Sequence, residues 1–232
     1  MDLAQKIETR RFVGREFLLW LWFESEIFEA TVATREHGTL GLWVEGRMQL
    51  TDGQESTAIK GATPGAHREA KESLRRGKLP ALLGLHLVRG EEESRFVLKG
   101  ETLAVSGLVL PTVLAAEAEV GEGQGSADDA VAGLAPRARR KKRSGPDAES
   151  AAEAEADEAQ TAFFERMHFA QDVEAVIAAL YRDFLALRLG RAWSDVVVPA
   201  LSEWIAGESP DAEAYREARA AALSGARKSR AR

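Results

Sequence analysis

The chain has 232 residues, with 31 Lys and Arg against 37 Asp and Glu, a formal net charge of -6, and 45% hydrophobic and 29% charged residues, the composition of a globular protein with a substantial core. It contains no cysteine, which excludes disulfides, thiolate metal sites and a cysteine nucleophile. Its first residues lack the basic-then-apolar layout of a signal peptide, and no stretch approaches the roughly 20 apolar residues of a membrane span, so we expect a cytoplasmic protein with no membrane partner.

The first strong element lies between Phe12 and Phe28, where Phe17-Leu18-Leu19-Trp20-Leu21-Trp22-Phe23 is an unbroken apolar run entered through Gly14-Arg15-Glu16 and left through Glu24-Ser25-Glu26. Its leucines and its length with flanks favour a helix, at about 14–25, although periodicity does not separate this from a buried strand. A helix apolar all round needs cover on more than one side. Trp20 and Trp22 are therefore placed at an interface, either against helices of the same chain or against a second copy.

From Leu40 the period becomes two. Leu40, Leu42, Val44, Met48 and Leu50 alternate with Gly41, Trp43, Glu45, Arg47 and Gln49, with a turn or bulge expected at Glu45-Gly46. A short strand follows at 56–60. Thr63-Pro64 then reads as an N-cap with proline at the first helical position, and Gly77 as a stop, predicting a helix at 65–76. Leu82–Arg89 and Ser94–Lys99 form a hairpin across Gly90-Glu91-Glu92-Glu93, and a further strand falls within 102–110 before Pro111.

Between Thr112 and Ala162 there is no aromatic residue. Residues 113–135 carry five acidic residues and no basic one, Arg137–Arg143 holds six basic residues in seven, and 147–158 is again acidic only. Alternating charge blocks separated by Ala, Gly and Ser predict a disordered linker over 113–158, in which most of the net negative charge resides. Beyond it Phe169, Val173, Val176, Leu180, Phe184 and Leu187 recur every three or four residues, predicting a helix at 160–189. A second stripe, Trp193, Val197, Leu201, Trp204 and Ile205, predicts another helix at 193–206 with Pro199 as start or kink. The segment 212–223 is helix-prone but poor in apolar surface and is expected to dock weakly or fray, ahead of a basic tail at 225–232.

The expected fold class is α+β. An antiparallel sheet of five or six strands with two helices (residues 1–112) is joined by the linker (113–158) to helices (159–224) that pack back onto the same core.

Few residues suggest chemistry. His37, His67, His86 and His168 are scattered without metal-ligand spacing, so neither a metal nor a cofactor is expected, and His67 reads as a surface residue. Gly121-Glu122-Gly123-Gln124-Gly125 lacks the Lys-Ser/Thr of a phosphate loop and its strand-to-helix setting. No nucleophile elbow or paired carboxylates stand out. The chain therefore reads as non-enzymatic. Its candidate nucleic-acid contacts are Arg75, Arg76 and Lys78 after the second helix, and Arg137, Arg139, Arg140, Lys141, Lys142 and Arg143 in the linker.

The segment Gly14-Arg15-Glu16-Phe17-Leu18-Leu19-Trp20-Leu21-Trp22 resembles one found in recombination-associated proteins of the RdgC type. Gly77-Lys78-Leu79 with the following hairpin, Ser106-Gly107-Leu108, and Phe164-Glu165-Arg166-Met167 through Trp204-Ile205 look similar to later parts of that family. The resemblance implies a homodimer that binds duplex DNA without catalysis and takes part in DNA recombination. The rival reading is a protein-interaction or dimerisation adaptor that binds no nucleic acid.

Overall fold

The computed structural model describes the backbone of residues 3–61, 63–109 and 146–230, and side chains from Val13 onward within these ranges except at 64, 146–159, 162 and 225–230. Helix α1 (Leu3–Ile27) leads into a six-stranded antiparallel sheet formed by β1 (Thr31–Thr34), β2 (Gly38–Thr51), β3 (Ser56–Lys60), β4 (Leu79–Arg89), β5 (Glu92–Lys99) and β6 (Val105–Val109). Helix α2 (Pro64–Arg75) sits between β3 and β4, and α3 (Pro146–Arg188), a π-helical turn (Trp193–Val197), α4 (Val198–Ala206) and α5 (Ala212–Arg230) complete the order. The strands run β1-β2-β4-β5-β6, with β3 paired to the distal part of β2. The fold is α+β, as the sequence predicts.

The chain divides into two compact units, residues 1–109 with 172–232, and residues 110–171. In the second, the described part is helical from Pro146, so the expectation of a disordered linker reaching 158 is corrected for 146–158. Ala and Glu, both good helix formers, dominate this stretch. The remainder of the expected linker, 113–145, lies outside the described residues. Phe163 and Phe164 of this unit are exposed and meet edge-on at 5.8 Å.

In the first unit the local sequence explains the elements directly. The alternation along β2 puts Leu40, Leu42, Val44, Met48 and Leu50 on one buried face. At Glu45–Arg47 the pairing with β4 shifts register between Val44 and Met48, and Gly46 takes a left-handed φ of +78°, the expected bulge. Gly84 faces that bulge: a Cβ there would lie 2.2 Å from the Glu45 carbonyl oxygen, so only glycine allows the two strands to close. Thr63 caps α2 by accepting from the Ala66 N–H at 3.2 Å, with Pro64 in the first turn.

Helix α1 is the centre of the core. Phe17, Leu18, Trp20, Leu21, Trp22 and Phe23 are fully buried. One side lies against β2 and β4, approaching the turn after β5 so closely that a Cβ on Gly14 would meet the Gly100 carbonyl oxygen at 1.8 Å. The other side is covered by aromatic rings from the C-terminal helices. Phe184 lies 5.4 Å from Phe17 and 5.7 Å from Trp20, Trp204 meets Trp22 edge-on at 5.0 Å, and Tyr215 meets Phe23 edge-on at 5.1 Å. Trp20 and Trp22 are thus consumed inside the chain. Of the two placements expected for them, the structure has the one against helices of the same chain, and rings with no exposed surface leave none for the interface with a second copy.

Two carboxylates where α1 ends pin this packing. Glu26 accepts from Trp22 Nε1 at 2.7 Å and Trp204 Nε1 at 2.8 Å, and pairs with His67 Nδ1 at 3.0 Å and Lys71 Nζ at 2.8 Å. It joins α1, α2 and α4 at one point, and Lys71 also lies 4.4 Å above the Trp204 ring. Burial pushes its pKa up, but the hydrogen bonds from His67 and Lys71, the Lys71 charge and the Trp204 hydrogen bond outweigh this and bring it down to about 2.

Glu24, fully buried, accepts from Tyr215 Oη at 2.8 Å and Arg219 Nε at 2.7 Å. Tyr215 also accepts from Trp20 Nε1 at 3.1 Å, and Arg219 Nη2 donates to the Ala33 carbonyl at 2.8 Å. Here burial wins over the Arg219 charge and both hydrogen bonds, and the pKa rises above 4.5. Asp183, paired with Arg35, adds a further upward push. The expectation that 212–223 docks weakly or frays is corrected: Tyr215, Arg219 and Leu223 are all buried, and the first two anchor the helix through polar atoms.

These two carboxylates act on stability in opposite pH windows. Glu26 contributes above about pH 4.5 and loses its contribution as pH falls toward about 2, a term of roughly 3 kcal/mol. Glu24, whose folded pKa is raised, favours the fold fully below about pH 4.5, and that contribution is lost as pH rises through its folded value. In chemical denaturation across pH, Glu26→Gln should flatten the acid limb between pH 4.5 and 2 and leave the Glu24-linked loss above 4.5 unchanged. Acid limbs that coincide in wild type and variant would refute this. Phe184→Ala, which removes a fully buried ring touching Phe17 and Trp20, should cost about 3–5 kcal/mol in the same assay, and a cost under about 1 kcal/mol would mean that the C-terminal cover is loose.

Candidate functional site

The basic residues predicted to follow phosphates do not form a free cationic surface. Arg75 donates from Nε to the Ile205 carbonyl at 2.8 Å and contacts Glu72 at 3.4 Å. Arg76 also contacts Glu72 at 3.4 Å. Lys78 is held between Glu55 at 3.3 Å and the Thr57 hydroxyl at 3.1 Å. Arg15 of α1 binds Glu101 at 2.6 Å. Each of these four cations therefore meets a carboxylate before it meets a ligand. The other predicted contacts, Arg137, Arg139, Arg140, Lys141, Lys142 and Arg143, lie outside the described residues.

A different constellation occupies the second face of the sheet. The strand period that buries Leu42, Leu85 and Phe96 turns Trp43, His86 and Arg95 to the opposite side. Register sets them in one cross-strand row, Trp43 opposite His86, His86 opposite Arg95, and Arg95 opposite Val109 of β6. The Trp43 and His86 rings lie 4.0 Å apart. His86 is buried, with Nδ1 2.8 Å from Glu45 Oε2, while Nε2 is 2.6 Å from Glu93 Oε1 at an angle outside hydrogen-bond geometry. Arg95 completes the cluster, 3.6 Å from Glu45 and 3.2 Å from Glu93. Around it Leu82, Val88 and Val97 remain part-exposed, and Val109 is 59% exposed.

Chemically, this row pairs apolar surface with two carboxylates and one guanidinium. The imidazole is enclosed by two carboxylates and an indole, and no nucleophile accompanies it. Among the described residues, no group of three or more His, Asp or Glu is placed to hold a metal ion, and no helix is long and apolar enough to cross a membrane. In the sequence, His86 taken singly does not disclose this face. The signal was the alternation of Trp43 with Val44 and of His86 with Leu85, which places both rings on the side away from the core.

No family model, no curated protein and no solved structure matches this chain.

The pairing of the basic residues predicts unequal effects on stability. Arg75→Ala, which breaks the tie between α2 and the end of α4, should cost about 1 kcal/mol in denaturant unfolding. Arg76→Ala, at a side chain 71% exposed, should stay within about 0.5 kcal/mol of wild type. Equal effects at the two positions would contradict the assigned contacts.

Proposed function

We propose that this chain is a non-catalytic protein-interaction module whose contact surface is the second face of the sheet. The observation that carries this reading is the row Trp43–His86–Arg95–Val109, in which part-exposed apolar groups are interleaved with the paired polar groups Glu45, Glu93 and Arg95. Interfaces of this kind bury an aromatic centre inside a polar rim. A duplex-DNA surface needs uncompensated cations, and Arg15, Arg75, Arg76 and Lys78 each have a carboxylate partner.

A second reading is supported by the basic run Arg137–Arg143: association with nucleic acid, in DNA recombination, through that segment alone. The resemblance to RdgC-type proteins favours it as well. On this reading the folded body serves only to present the run.

A photo-crosslinking residue in place of Trp43 tests the first reading in the cell of origin. It should yield one discrete protein adduct that is lost on adding Val97→Glu. Absence of any adduct would overturn it. A DNA titration at two salt concentrations tests the second. Binding through six phosphate contacts would show log K falling by about 0.9 per contact per decade of salt, and would vanish when all six basic residues of the run become Ser. No binding even at roughly 50 mM salt removes that reading.

A further inference from the structure

The second face of the sheet has two halves of unlike charge. Around His86 the carboxylates Glu45 and Glu93 are met by the imidazole and by Arg95. In the other half Met48, Ile59, Leu83 and Leu98 are buried in the core, so their neighbours Arg47, Lys60, Leu82 and Lys99 stand on the outer side. Register sets Arg47 of β2 directly opposite Lys60 of β3, and Leu82 of β4 between Gln49 of β2 and Lys99 of β5. Arg47, Lys60 and Lys99 are exposed and, among the described residues, none of them enters an ion pair or a side-chain hydrogen bond. The acids nearest to them in sequence are already committed, Glu45 to His86, Glu55 to Lys78 and Glu101 to Arg15.

Like charges directly opposite in a sheet are destabilising, and among the described residues nothing relieves the Arg47–Lys60 pair. In such a register the two Cβ atoms lie about 5 Å apart, so a single carboxylate can bridge both cations. Lys99 is two strands away from Arg47 and two residues further along. At ~4.8 Å between strands and ~3.4 Å per residue this places it roughly 12 Å off. The floor between these two cationic points is apolar. Gly84 has no side chain, and Leu82 and Val97 flank it part-exposed, the latter directly opposite on β5.

We propose that this half of the face binds an acidic segment of a partner protein, extended, with two carboxylates four residues apart and an apolar side chain midway between them. Four residues of extended chain span about 13 Å and turn all three side chains to one side, which matches the separation of the two cationic points. The first carboxylate meets Arg47 and Lys60, the apolar group covers Gly84 between Leu82 and Val97, and the second carboxylate meets Lys99. A nucleic acid suits this pattern poorly. Its phosphates recur at every step and would fall on the apolar floor and beside Glu45, whereas a polypeptide sets its carboxylates only where the cations are. The proposal rests on the reading of this face as a contact surface and adds the chemistry of what it contacts.

Chemical-shift mapping on the full chain tests this with a defined probe, a peptide carrying Glu-Thr-Leu-Thr-Glu between Gly-Ser ends, and its counterpart with both glutamates changed to glutamine. The acidic peptide should shift the amides of residues 47, 60, 82, 97 and 99. It should bind roughly 5- to 30-fold more tightly than the glutamine peptide, the factor expected of a few exposed ion pairs, and added salt should narrow that gap. The double variant Lys60→Glu/Lys99→Glu should reverse the preference and favour a Lys-Thr-Leu-Thr-Lys peptide. If that variant does not fold, the two peptides on the wild-type chain decide. Equal or undetectable binding of the two, shifts confined to other residues, or tighter binding of a short oligothymidylate at residues 47, 60 and 99 overturns the proposal. These outcomes are separate from the cross-link at position 43: a discrete adduct there with no preference for the acidic peptide retains the contact surface and removes only its acidic partner.

Discussion

A helix that is apolar on every side cannot be satisfied by a single layer, and the rest of this structure follows from that constraint. The run Phe17–Phe23 has no solvent face, so α1 has to be enclosed between two covers. The sheet provides one, at a separation that Gly14 and Gly100 set by bringing backbone against backbone. The C-terminal helices provide the other, with a ring from α3, α4 and α5 in turn set against α1. Fully burying a large apolar side chain is worth about 1.5–3 kcal/mol, so the six fully buried residues of this run account for a large share of what holds the unit together.

Where α1 ends, the same constraint acts through polar groups. Glu24 and Glu26 follow the apolar run directly, two residues apart on nearly opposite sides of the helix. Glu26 is clamped by four donors and stays ionised far into acid, which fixes α2 and α4 to α1. Glu24 is desolvated with one oxygen unpartnered, and it meets a helix that is joined to the body by a short exposed loop. Both carboxylates thus tie helices to α1, Glu26 through four donors and Glu24 through two. The difference lies in the number of donors and the access of water, and not in the residue type.

Much of the fold was legible because periodicity reports burial. The alternation along β2, the Thr63-Pro64 cap and the stripe from Val173 to Leu187 each dictate one local structure. What covers Trp20 and Trp22 was not legible, since an apolar surface attracts any cover and the sequence does not say whether it comes in cis or in trans. The docking of α5 was hidden for another reason. Its stripe has a regular spacing of four, but Arg219 at its centre reads as solvent-facing until its carboxylate is known to be buried. Glu24 and Glu26 read as a polar exit from the helix for the same reason. The row on the second face required strand register, because Trp43, His86 and Arg95 come from three strands and are not close in sequence. The basic residues at 75, 76 and 78 were visible, but their glutamate partners at 72 and 55 became evident only in the folded chain.

Enclosure of α1 between two covers is the claim on which the rest stands, and native-state hydrogen exchange resolved along the chain measures it most directly. Amides of residues 17–24 should exchange only through global unfolding, as slowly as any in the protein. Exchange of residues 17–24 well ahead of β2 and β4 would show that the C-terminal helices do not cover α1 and would contradict this account.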